Sequence, residues 1–206
     1  MKIANVFARF IFSVIMTVTI CSCKSYVKYK NGISKPREET PESLINFLDK
    51  NKFPGNNIYV FSDSAGYGHA LRNELFRKNL LGHMIFDRNG LLLDRDSSKC
   101  QWAGAELLRN LHPDSSYSTT DKLTVDQILG KIVPVGVGDT LFDIGQLPDF
   151  TLVVSWGKFL GRYNYRLFDL EKALKENNYA RIRLIWLNID MQKSWQLKPG
   201  QKLSFS

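Results

Sequence analysis

Cysteine is scarce in this chain, with three among 206 residues at positions 21, 23 and 100. No C-x-x-C pair exists, so the motif on which ordinary dithiol exchange runs is missing. Histidine is equally sparse. His69, His83 and His112 include no i, i+4 pair, and no Cys or carboxylate accompanies them in ligand spacing, so no metal site is expected. Gly66-Tyr67-Gly68 and Gly136-Val137-Gly138 lack the third glycine of a dinucleotide loop, and no Walker lysine is present, so neither a nucleotide nor any other cofactor is expected. Ser62, Ser64, Asp63 and His69 are hydrolase-type residues, but the G-x-S-x-G elbow that presents a nucleophile is absent. Acids are missing altogether before Glu38. The formal charge is +8, yet no basic-aromatic array of the kind that grips nucleic acid occurs. The one long uncharged run, Phe10 to Ile20, is shorter than the roughly 20 apolar residues of a spanning helix.

That run has a different meaning. It follows Lys2 and Arg9 and ends at Ile20-Cys21-Ser22-Cys23, the layout of a secretory leader with a small-residue cleavage site. The ending resembles a bacterial lipobox, which implies acylation of Cys23 after removal of residues 1–22. Residues 23–39 then read as a flexible basic tether, with Lys24, Lys28, Lys30, Lys35 and Arg37 ahead of Glu38 and Glu39. Lys and Arg beside a lipid anchor sit against anionic head groups, at about 1 kcal/mol each near the surface. Cys21 leaves with the leader and Cys23 goes to the anchor. Cys100 is the one thiol left, and it cannot form an internal disulfide. It reads either as a semi-buried cysteine at a helix start or as a single redox thiol whose pKa Lys99 and the helix at Trp102 would lower.

Residues 40–206 suit a single domain, and 44% hydrophobic with 12% aromatic content is ample for a core. Thr40, Pro41 and Glu42 open a helix that runs to about Asn51. Ile58–Phe61 is a strand, followed by a helix through Leu71, Leu75 and Phe76. Asn89-Gly90 between two apolar runs, Met84–Phe86 and Leu91–Leu93, predicts a hairpin whose two turn residues both take positive φ. A helix spans Trp102 to Leu111, and 112–122 reads as a polar loop. Thr124 and Gln127 form a capping box, and the glycines at 136, 138 and 145 mark another loop. Leu152–Val154, a helix striped by Tyr163, Leu167, Leu170 and Leu174, and the almost wholly apolar Ile182–Ile189 make a strand–helix–strand unit in a parallel sheet.

Thr151-Leu152-Val153-Val154-Ser155-Trp156-Gly157-Lys158-Phe159-Leu160-Gly161-Arg162-Tyr163 resembles the strand and helix start of thioredoxin-like thiol–disulfide oxidoreductases. Leu160 and Tyr163 stand where that family has its cysteines. Met84–Leu93 resembles the family's β-hairpin, although here it precedes the strand–helix–strand unit instead of following it. Val60–His69 resembles a strand entering a C-x-x-C-H turn, with Ala65 and Gly68 at the cysteine positions. The resemblance implies a thioredoxin-like three-layer α/β sandwich without redox chemistry, and either its order is permuted or one of the two matches is chance. Trp156, Phe159 and Tyr163 are either core residues or the lining of a groove beside the helix start, where the family binds extended peptide.

The resulting expectation is a lipid-anchored cell-envelope protein on the periplasmic face of an outer membrane, similar in style to lipoproteins of Bacteroidota. It binds the membrane through its anchor and recruits an envelope protein or peptide, not nucleic acid. The alternatives are a single-thiol peroxidase or reductase using Cys100, and a structural or immunity-type lipoprotein.

Overall fold

A computed structural model describes residues 30–53, 57–94, 103–135 and 148–197. Cys23, Cys100, Trp102 and the glycines at 136, 138 and 145 lie outside the described residues.

The chain runs β1 (Glu38–Glu39), α1 (Pro41–Asn51), β2 (Ile58–Phe61), α2 (Ser64–Arg72), α3 (Glu74–Asn79), β3 (His83–Asp87), β4 (Leu91–Leu93), α4 (Ala103–Arg109), β5 (Thr119–Thr124), α5 (Val125–Leu129), β6 (Ile132–Pro134), β7 (Phe150–Trp156), a 3₁₀ segment (Lys158–Tyr165), α6 (Arg166–Glu176), β8 (Ile182–Asn188) and β9 (Met191–Gln192), with a last 3₁₀ turn at Lys193–Trp195. Seven strands form one mixed sheet in the order β5-β4-β3-β7-β8-β2-β6. Strands β7, β8 and β2 are parallel, and β3, β4, β5 and β6 pair antiparallel with their neighbours.

The sheet separates two cores because its side chains alternate between faces. Ile58, Val60, Ile85, Leu152, Val154, Trp156 and Trp186 pack on one face with α1, α4 and α6, through Leu44, Leu48, Leu108, Leu167, Leu170 and Ala173. Tyr59, Phe61, Met84, Phe86, Val153, Ile185 and Leu187 pack on the other with α2, α3 and α5, through Tyr67, Leu71, Phe76 and Ile128. The protein is therefore three-layered, helix on sheet on helix. Strand β7 is buried along its whole length because both faces are covered.

Local signals behave as physics dictates in several places. Thr40 caps α1 with a reciprocal Ser43 box, and Thr124 with Gln127 caps α5. The helix expected through Leu71 and Phe76 is broken at Asn73, whose extended backbone ends α2 while its side chain caps α3. The hairpin forms, but not on the expected turn. Asp87 Oδ1 accepts from the N–H groups of Asn89 and Leu91, and only Gly90 (φ 76°) takes the left-handed region. The connection is a three-residue loop closed by glycine, because the Asp87 side chain organises it. Part of the expected loop at 112–122 is β5, an edge strand whose polar pattern leaves only Leu123 buried. The short strand β6 gave no sequence signal either. It lies on the opposite edge, and Pro134 sits at its end, as proline must within a sheet.

The expected flexible tether over 23–39 requires correction at its C-terminal end. Asn31 O accepts from Arg162 N (2.8 Å), Ser34 N donates to Phe159 O (2.8 Å), and Glu38–Glu39 pair in parallel with Met191–Gln192. Backbone hydrogen bonds, which composition cannot reveal, hold this segment to the domain.

Candidate functional site

The segment between β7 and α6 is where the resemblance placed chemistry, and it is the most irregular part of the sheet's carboxyl edge. Lys158–Tyr165 is 3₁₀ with a kink at Gly161 (φ 55°, ψ −129°). A Cβ at Gly161 would lie 2.3 Å from Asn31 O, so only glycine lets the incoming chain pass. Regular α-helix starts at Arg166, three residues later than the Tyr163 stripe suggested.

A buried carboxylate organises the turn from beneath. Asp190, 1% exposed, follows β8 and accepts from Lys158 N (2.6 Å), Phe159 N (3.4 Å) and Asn188 Nδ2 (2.9 Å). Asn188 Oδ1 in turn accepts from Gln192 Nε2, and Asn164 bridges both backbone groups of Gly157. Burial raises the Asp190 carboxyl above its ordinary range, against the pull of Asn188 and the two N–H groups. Nearby, Tyr67 donates to Ile189 O, and burial together with Asp190 pushes its phenol up to about 12. Lys158 Nζ meets Glu39 Oε2 at 2.5 Å, which ties β1 to the same turn.

The three groove candidates separate. Trp156 is fully buried and stacks on Phe47 (6.2 Å, 9°) in the α1–α6 core. Phe159 is half-buried over Gly157 and packs toward the opposite core. Tyr163 alone lines a cavity. Of the two positions where the resemblance expected cysteines, Leu160 is buried in the α2-side core and Tyr163 is the cavity residue. At the other resembling turn, Ala65 is exposed in the first turn of α2, and Asp63 is used as the N-cap, accepting from Gly66 N at 2.6 Å. His69 is exposed, His83 lies buried under Gly104, and His112 packs at a tilt against Tyr179 (5.5 Å, 42°). Among the described residues no group of three or more His, Cys, Asp or Glu gathers to hold a metal, and no helix is long and apolar enough to cross a membrane.

The cavity has a volume of about 470 Å³, within the usual range for small-ligand sites. It opens at the carboxyl end of β7, between the start of β3 and the start of α6. There the connection from β7 leads to β8 on one side while β3 lies antiparallel on the other, the crevice where open α/β sheets bind ligands. Leu81, Ala105 and Leu170 give it apolar surface, Tyr163 and Tyr165 its aromatic wall, and Lys78, Arg162 and Arg166 its charge. Arg166 is held against the wall: its guanidinium lies 4.3 Å from the Tyr163 ring centroid, and Nη2 donates to Ser155 O at 2.7 Å. Burial lowers its pKa from the usual guanidinium value, against the opposing pull of Tyr163, and an arginine keeps its charge in proteins.

Sequence reasoning missed Arg166, Arg162, Lys78 and Asp190. For Arg166 one signal was available. A cation on the first residue of a helix opposes the helix dipole, so something other than helix stability placed it there. Comparison with family models, with curated proteins and with solved structures finds no match to this chain.

Proposed function

We propose that the protein is a lipid-anchored cell-envelope binding module built on a redox-inactive, permuted thioredoxin-like core. One observation carries the reading: the turn entering the helix after β7 has its catalytic positions occupied by a core leucine and a cavity tyrosine, and its free N–H groups are capped from within by Asp190. A thiolate at this turn would need those N–H groups, and a resolving thiol would need the neighbouring turn. Neither is provided.

The placement of β3 and β4 supports the permuted core. The hairpin that follows the strand–helix–strand unit in the resembled family precedes it here, yet it lies alongside β7 in the order β8-β7-β3-β4. The anchor reading rests on the leader and on Cys23. Eight Cα-to-Cα steps lead from Cys23 to Asn31, and at ~3.3–3.6 Å each they reach at most roughly 29 Å. Asn31 lines the cavity, so the ligand site is held close to the membrane surface, with the membrane contacted through the anchor. The periplasmic face of an outer membrane is the location this reading assigns.

Two measurements test it. Incubation with insulin and a reductant is expected to give no disulfide reduction above the uncatalysed rate, and catalysis would overturn the redox-inactive reading. Mass spectrometry of the mature chain is expected to show an acylated Cys23 at its N-terminus, and an unmodified residue there would remove the anchor.

A further inference from the structure

We propose that the cavity at the start of α6 binds a small anion with an apolar body, a carboxylate or phosphate head on an aromatic or short aliphatic group. The inference rests on the reading of that cavity as the module's ligand site and names the chemistry it takes.

Charge is the first argument. Lys78, Arg162 and Arg166 line the cavity against the single carboxylate of Asp169. Lys78 is paired with Glu74 on the exposed face of α3, at 2.8 Å. Among the described residues no carboxylate forms an ion pair with Arg162 or Arg166. A guanidinium drawn partly out of water without a counter-ion is costly, and such groups are ordinarily paired. Its donors are also underused. Arginine offers five N–H donors; the Ser155 carbonyl takes one on Nη2 and the Tyr163 side chain engages the group as well, while Nε is buried with no acceptor among the described residues. An oxyanion supplies both the missing charge and the missing acceptors, and the planar fork favours carboxylate and phosphate over a halide.

Fixed geometry is the second argument. The Tyr163 ring against its face and the Ser155 carbonyl at its edge hold Arg166 in place before any ligand arrives, so little side-chain entropy is lost on binding. The third argument is the remaining surface. Leu81, Ala105, Leu170 and the two tyrosines would leave an inorganic anion with unfilled apolar space, whereas an apolar body buries it.

The test uses the full chain in a nonionic detergent, titrated calorimetrically with phenyl phosphate, benzoate and neutral benzyl alcohol. At least one of the two anions is expected to bind, with benzyl alcohol tenfold weaker or worse; their ratio separates a phosphate site from a carboxylate site. Arg166→Gln is expected to weaken the anion tenfold or more, and Arg162→Glu, on an exposed side chain that folding does not need, severalfold. Lys175→Glu, a charge change on the outer face of α6, is expected to leave binding unchanged. If Arg166→Gln does not fold, Arg162→Glu and the salt dependence decide. Three results overturn the inference: benzyl alcohol binding as tightly as the anions, no binding by any of the three, or affinity indifferent to Arg162→Glu and salt. The first of these leaves the cavity standing as a ligand site of other chemistry. Reduction of insulin, conversely, would end the redox-inactive reading without touching the anion site.

Discussion

Gly161→Ala is the most informative single change for the architecture described here. The residue sits at φ 55°, ψ −129°, and a Cβ would lie 2.3 Å from Asn31 O and 2.6 Å from Gly32 O. Real Cβ atoms do not approach carbonyl oxygens so closely, so either the turn or the incoming segment must move. Holding alanine in this region of φ/ψ costs on the order of 1–3 kcal/mol. Releasing the segment instead sacrifices two backbone hydrogen bonds, Arg162 N to Asn31 O and Ser34 N to Phe159 O, both 2.8 Å. At about 1 kcal/mol net each, that is about 2 kcal/mol. The two costs are similar, and the second relieves the clash, so the variant is expected to fold with residues 31–37 detached. The strain is present only while the segment is docked, so about 2 kcal/mol of it should raise the opening equilibrium roughly 30-fold, since 1.4 kcal/mol is tenfold. Limited trypsinolysis at Lys30 and Arg37, both exposed, reads this directly. Cleavage should accelerate by about that factor, while the thermal midpoint falls by about 4–8 °C. Unchanged cleavage with an unchanged midpoint would refute the docking of this segment on the turn.

Other perturbations probe the buried polar groups and the core. Asp190→Asn should reshape the pH profile of stability: burial raises the folded carboxyl above its unfolded value, so its contribution is full below the unfolded pKa and is lost as pH rises through the folded one. Denaturant midpoints should therefore decline less from pH 4 to pH 7 in the variant than in the parent, and parallel profiles would contradict this. Tyr67, at about 12 when folded against an ordinary 10, contributes stability that is complete below pH 10 and lost between pH 10 and 12, amounting to about 3 kcal/mol. Tyr67→Phe should thus be about 1 kcal/mol less stable at neutral pH, for want of the bond to Ile189 O, and more stable than the parent near pH 12. Trp156→Ala should cost about 3–5 kcal/mol in denaturant unfolding, as expected of a fully buried ring stacked on Phe47. Trp156→Phe should cost much less, because it also removes an indole N–H that has no acceptor among the described residues.

Much of the fold was legible because local chemistry and periodicity carried it. Thr40 and Pro41 announce α1, the apolar runs of β7 and β8 announce strands covered on both faces, and the stripe at Leu167, Leu170 and Leu174 announces the helix between them. The sequence by itself also shows that no C-x-x-C motif is present and that Cys100 is the one cysteine beyond position 23. Edge strands were not legible, because β5 and β6 bury little and so show no alternation. Nor could composition distinguish a loose tether from one held by the backbone groups of Asn31 and Ser34. The site belongs to tertiary structure alone. Trp156, Phe159 and Tyr163 are near neighbours in sequence, yet the end of β7 and the kink at Gly161 send them to one core, the other core and a cavity. Lys78 and Arg166 are far apart along the chain and meet at that cavity only because β3 lies beside β7. Periodicity records which way a side chain faces on its own element; which elements become neighbours is decided by the burial of both sheet faces at once.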